Sequence, residues 1–116
     1  MRDHGGGDIL VTSSISTQQI IHSKPVYSAS KHAISAFVHG ARHQLINDNI
    51  RIGAIGPGTV LNELWGYSDQ AEIDRKVERH DGLRSEDIAE AAVFMLTRPK
   101  HVVIRDMVIM PQALDL

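Results

Sequence analysis

Cysteine is absent from these 116 residues, which excludes disulfides and thiolate metal sites and suits a cytoplasmic protein. No charge of one sign dominates. The formal net charge is −2 with both signs interspersed, so neither nucleic acid nor an anionic membrane is favoured as a partner. No apolar run approaches the ~20 residues of a membrane span, and the opening MRDHGGGD lacks the apolar core of a secretory signal. A dinucleotide-binding glycine motif is missing as well. Gly5-Gly6-Gly7 has no strand before it and no helix after it, so it reads as a loop into a strand rather than a phosphate cradle. What remains is one domain's worth of chain, 42% hydrophobic, enough for a single small core.

The order of elements is legible from pattern. Asp8 to Ser13 is a short apolar run and reads as a buried strand. Ser14 to Lys24 is polar and turn-rich, and Pro25 opens a helix running to about Asn47 with apolar positions such as Ala33, Phe37, Ala41 and Leu45. Asp48-Asn49 stops that helix, Ile50 to Ile55 forms a second strand, and Gly56-Pro57-Gly58 ends it sharply. Leu61 to Gly82 is charged and weakly helical, a surface excursion. Ser85 with Asp87 opens a helix through Leu96, and Val102 to Met110 is the last strand. Strand, helix, strand, helix, strand predicts an α/β fold of three parallel strands with flanking helices. Such a sheet wants partners at its edges and cover on both faces. The pattern therefore reads as the second half of a Rossmann-type doubly wound sheet, and as a homo-oligomer rather than a monomer.

Thirteen positions separate Ser14 from Tyr27, and Lys31 follows one helical turn later. Tyrosine and lysine at i and i+4 share a helix face, and a serine ending the preceding strand can fold back to meet them. An ordinary phenol, with a pKa of ~10, is a poor general base near neutrality. An ammonium within ~4–6 Å favours the phenolate, and a serine hydroxyl can polarise a substrate oxygen. Ser13 is a competitor for Ser14 on position alone. Gly56-Pro57-Gly58 sits at the carboxyl end of a strand, where open α/β sheets bind ligands.

These residues carry a resemblance. From about Gly7 to the end, GDILVTSS, YSASK, RIGAIGPGTV and the late strand ending in IMP resemble the C-terminal half of a short-chain dehydrogenase/reductase. The wording AFVHGARHQL, RIGAIGPG and VIRDMVIMP is similar to ribitol dehydrogenases, which are polyol oxidoreductases. The resemblance implies NAD or NADP as cofactor and a small-molecule alcohol or polyol as substrate. It implies Tyr27 as acid/base, Lys31 as electrostatic support and ribose contact, and Ser14 as substrate-orienting hydroxyl. Pro57, Gly58 and the backbone of Val60 would line the nicotinamide side. Asn62 stands where relatives often carry a threonine that contacts the cofactor phosphate. The family's glycine-rich loop, its cofactor discriminator and its relay asparagine all belong to the other half, so residues 1–116 read as a partial domain.

Seven histidines are present. His32, His39 and His43 share roughly one helix face, but no third ligand completes a metal frame, and they read as surface or subunit-contact residues. Two functional classes follow: an NAD(P)-dependent alcohol or polyol oxidoreductase, or a truncated, catalytically silent fold that persists by association.

Overall fold

The computed structural model describes residues 1–115. Its main elements are β1 (Gly7–Thr12), α1 (Pro25–Leu45), β2 (Ile50–Pro57), α2 (Gln70–Glu78), α3 (Ser85–Leu96) and β3 (Asp106–Ile109). Among the described residues the strands form one parallel sheet ordered β1-β2-β3, with Gly7 opposite Ile50 and Ala54 opposite Asp106. The α/β architecture expected from the sequence is the one observed. Among the described residues no helix is long and apolar enough to cross a membrane.

The central strand is the core. β2 buries Ile50, Ile52, Ala54 and Ile55, as a strand paired on both edges must. Helix α1 lies against it, with fully buried Val38 packed on Ile52 and Ala54 and with Ile9, Val11, Ile34, Ala41 and Leu45 around them. The inward stripe is thus Ile34, Val38, Ala41 and Leu45. Ala33 and Phe37, which the sequence placed on the apolar face, point outward, and Phe37 is 66% exposed. A run of spacings 4, 3, 4 keeps step with 3.6 residues per turn, whereas repeated spacings of 4 drift off the face.

Two boundaries differ from the sequence reading, whereas α3 (Ser85–Leu96) has the bounds the sequence reading gave it. β2 runs through Pro57 instead of stopping at Ile55, with Pro57 opposite Ile109. Successive residues of a strand offer their backbone groups to alternate neighbours. Ile55 bonds towards β1 by accepting from Ser13 N–H, while Gly58 N–H donates to Ile109 on the β3 side. The missing N–H of Pro57 therefore faces β1, which has already turned away, so no ladder bond is lost. β3 is shorter than the Val102–Met110 run. The Arg51 guanidinium takes the carbonyls of Arg98, Pro99 and Val102 at 2.6–3.0 Å, so that approach segment is held by a side chain rather than by a ladder. At α3, Arg84 is the cap and Ser85 the first helical residue, with Asp87 accepting from Arg84 N–H at 2.7 Å.

Asn49 stops the α1 segment as expected, in the left-handed conformation at φ 55, which asparagine tolerates. Gly6 then has to be bare, because a Cβ there would meet the Asn49 carbonyl. Arg51 also donates from Nε to Asp8 at 2.5 Å, and that hydrogen bond raises its pKa against the opposing effect of burial. One side chain thus fastens β1, β2, the end of α3 and the entry to β3. Arg51→Met is expected to lower the urea midpoint with an unchanged slope, since it removes ties without altering the surface exposed on unfolding.

His39, read as a surface or contact residue, is partly exposed and is also tied within the fold. Its Nε2 lies 3.0 and 3.1 Å from the two carboxylate oxygens of Asp106, joining α1 to β3. Burial works to raise the Asp106 carboxyl, but hydrogen bonds and charge from His39 and Arg105 outweigh it and hold it below the usual carboxylate range. A carboxyl with a depressed folded pKa contributes stability above its unfolded value and loses it as pH falls through the folded one. Asp106→Asn should therefore destabilise at neutral pH by less than ~1 kcal/mol, given the site's exposure. The deficit should shrink on acidification, as read by urea titration at several pH values. His32 bonds the Ser28 carbonyl at 2.8 Å, and His43 is exposed.

Candidate active site

Ser14 follows the end of β1 by two residues and caps the short 3-10 turn Ile15–Thr17, its Oγ accepting from Ser16 N–H at 3.1 Å. An oxygen that accepts within its own turn still carries a proton to donate. The turn is buried: Ser13, Ser14, Ile15 and Ser16 are each 6% exposed or less. It packs against both α1 and β2. Gly56 makes that close approach possible, because a Cβ there would lie 3.1 Å from the Ser14 carbonyl oxygen.

Tyr27 and Lys31 occupy the first two turns of α1, which starts at Pro25 because a missing N–H costs nothing there. Both side chains are half-buried, and the Lys31 ammonium stands 5.7 Å from the Tyr27 ring centroid. The helix spacing thus brings the ammonium over the tyrosine ring. The turn begun by Ser14 rests on the same helix. Ser13, the competitor, is also buried, and its Oγ has no partner among the described residues.

Pro57 and Gly58 lie at the carboxyl end of β2. Gly58 has an internal reason to be glycine: a Cβ would come within 3.1 Å of Met110, Pro111 and Leu114. Val60 is buried and bridges Leu83 in parallel, which anchors the start of the excursion. Asn62 follows in extended conformation, with its Oδ1 buried and without a hydrogen-bond partner among the described residues. A buried acceptor left unpaired costs ~1–3 kcal/mol, so an N–H from a bound group would be stabilised there. That acceptor fits a bound group that presents an N–H or O–H donor.

Sequence reasoning missed a contact that borders this site. Lys24, the residue before α1, places its ammonium 4.5 Å from the centroid of Trp65. A cation–π contact of this kind is worth ~0.5–1 kcal/mol at an exposed site, and it ties the excursion to the helix start next to Tyr27. Nothing in periodicity or spacing pairs residues this far apart. Ser16 and Ser28, buried with unpartnered hydroxyls where the turn meets α1, were also unmarked in the sequence.

Two concavities lie elsewhere. One, of about 780 Å³, lies by Ile109–Gln112, and the other, of about 610 Å³, lies at the amino end of the sheet. Neither includes Ser14, Tyr27 or Lys31. No group of three histidine or carboxylate side chains that could hold a metal occurs among the described residues.

Comparison with known proteins agrees with this geometry. The sequence profile of the short chain dehydrogenase family matches residues 1–73. The NADP-dependent 3-hydroxy acid dehydrogenase of Schizosaccharomyces pombe is 34% identical over 108 residues, which are 90% of this chain and 42% of that protein. The structure of L-sorbose reductase from Gluconobacter frateurii, solved with NADPH and L-sorbose, superposes with a TM-score of 0.80 at 25% identity. It covers 100% of this chain and 50% of the other. A 7α-hydroxysteroid dehydrogenase complexed with NADH and 7-oxo glycochenodeoxycholic acid gives a TM-score of 0.76 at 29% identity, covering 94% and 45%. The chain spans less than half the length of the curated relatives it matches. With the profile matched over more than half of its residues, the chain belongs to the short-chain dehydrogenase family.

Proposed function

We propose that this chain is the proton-transfer and substrate-facing half of an NAD- or NADP-dependent oxidoreductase acting on a small alcohol, with a polyol of the ribitol kind as the first substrate to try. The observation that supports it most is the Lys31 ammonium 5.7 Å from the Tyr27 ring, on the helix that packs against the turn begun by Ser14. Nicotinamide, when bound, supplies the hydride chemistry. In alcohol oxidation Tyr27 takes the proton from the substrate hydroxyl, Lys31 stabilises the phenolate, and the Ser14 hydroxyl donates to the substrate oxygen. In reduction the same proton moves from Tyr27 to the substrate oxygen. Pro57, Gly58, Val60 and Asn62 line the nicotinamide side, with the unpaired Asn62 Oδ1 as the acceptor that a carboxamide N–H would satisfy.

Both cofactors occur in the names of similar proteins, and their substrates range from a 3-hydroxy acid to a sugar and a steroid, so both choices are left to assay. The test is to join residues 1–116 in frame behind the cofactor-binding half of the fission-yeast relative. Ribitol, L-sorbose and 3-hydroxy acids are then assayed with NAD and NADP. Cofactor-dependent turnover of an alcohol supports the reading. A folded chimera that binds NADPH yet turns over none of them contradicts it.

The silent-fold reading is favoured by one observation. Among residues 1–115 no glycine-rich strand-to-helix turn exists to hold a pyrophosphate. On that reading the chain lives by association, and the exposed apolar side chains of α1, Val26 at 82% and Phe37 at 66%, supply surface for a second copy. Light scattering that returns a sharp monomer mass would sink the association.

A further inference from the structure

We propose that the concavity at the amino end of the sheet binds a phosphate monoester carrying an apolar body. The space measures about 610 Å³, within the range of small-molecule sites. Its walls combine the ends of three segments: Arg42 and Ile46 at the close of the α1 segment, the glycine turn before β1, and Lys100, His101 and Val103 before β3. Arg42, Lys100 and the imidazoles of His4 and His101 line one space in a chain whose formal net charge is −2. None of the four is in an ion pair among the described residues, whereas the one carboxylate in the wall, Asp8, is already held by Arg51 at 2.5 Å.

The end of a helix attracts cations to its dipole, and that accounts for Arg42 alone. Lys100 and His101 come from the segment leading into β3, and His4 from before β1, so their convergence has no such cause. Unsatisfied cations around one space fit an anion with several acceptor oxygens. Guanidinium supplies a bidentate fork and ammonium a point charge. Ile46, 53% exposed, and Val103, 40% exposed, give the same space an apolar wall, which favours an ester with a hydrocarbon or aromatic body over the bare ion. β1 begins at this concavity and ends at Thr12, two residues before Ser14. Six residues at ~3.3 Å each put the concavity ~20 Å from the end of the strand that leads to Ser14, so it is a second site.

The test is calorimetric titration of the purified chain with phenyl phosphate and, separately, with inorganic phosphate. Phenyl phosphate is expected to saturate and to bind more tightly than inorganic phosphate. Lys100→Ala, at an exposed position, and Arg42→Gln should each weaken it roughly tenfold, added salt should weaken it further, and Tyr27→Phe should leave it unchanged. Absence of saturation, affinity equal to that of inorganic phosphate, or binding that survives both substitutions would overturn the proposal.

Discussion

Replacing Tyr27 with phenylalanine in the chimera that joins residues 1–116 to the cofactor-binding half of the fission-yeast relative should lower kcat by ~10²–10⁴-fold and leave KM nearly unchanged. The range is that of a general acid–base group, or ~3–5 kcal/mol of transition-state stabilisation. The substitution removes one oxygen and keeps the ring that faces the Lys31 ammonium at 5.7 Å. α1 and its packing on the sheet should therefore survive, as circular dichroism would report. A loss confined to kcat marks an interaction made only in the transition state, whereas a rise in KM would mark ordinary substrate binding. Lys31→Met gives a second reading of the same pair. It retains the aliphatic stem and removes the charge, so its loss of rate should shrink as pH rises and the phenolate forms without help.

Ile55→Ala should cost ~2–5 kcal/mol, the span for truncating a buried branched side chain. Ile55 is 1% exposed in the central strand and stands opposite both Thr12 and Met107, so the cavity is walled by sheet on two edges and collapses poorly. Against the ~5–15 kcal/mol of an ordinary domain, that is a large share of the whole. Its carbonyl also accepts Ser13 N–H at 2.7 Å, so the lesion sits directly beneath the turn that holds Ser14. Ile55→Val, which leaves most of the volume, should cost only ~0.5–1.5 kcal/mol. Urea unfolding of both variants checks the ratio.

The elements were readable wherever a local cause sets them. Pro25 starts α1, Asn49 stops the α1 segment in the left-handed conformation, and the apolar run after Gly7 pairs as β1. The Tyr27–Lys31 contact was readable for the same reason, since helix geometry alone brings i and i+4 together. Where tertiary partners decide, the sequence was mute. Arg51 takes the Val102 carbonyl that a longer β3 would have used, and a guanidinium's acceptors leave no trace in periodicity. Pro57 reads as a strand breaker until the neighbouring strand is seen to have turned away. The inward stripe of α1 fell one residue from Ala33 and Phe37 because two apolar stripes compete and only contact with Ile52 chooses between them. The pairing of His39 with Asp106 and of Lys24 with Trp65 depends on the crossover and on the path of the excursion.

The central proposal is a division of labour in which these residues would carry the proton chemistry and the grip on the cofactor's phosphates would lie outside them. Titrating the purified 116-residue chain with NADPH and NADH, while following turnover of an alcohol, tests it most directly. The account predicts no saturable binding at millimolar cofactor and no turnover. Saturable binding accompanied by turnover that Tyr27→Phe abolishes would contradict it.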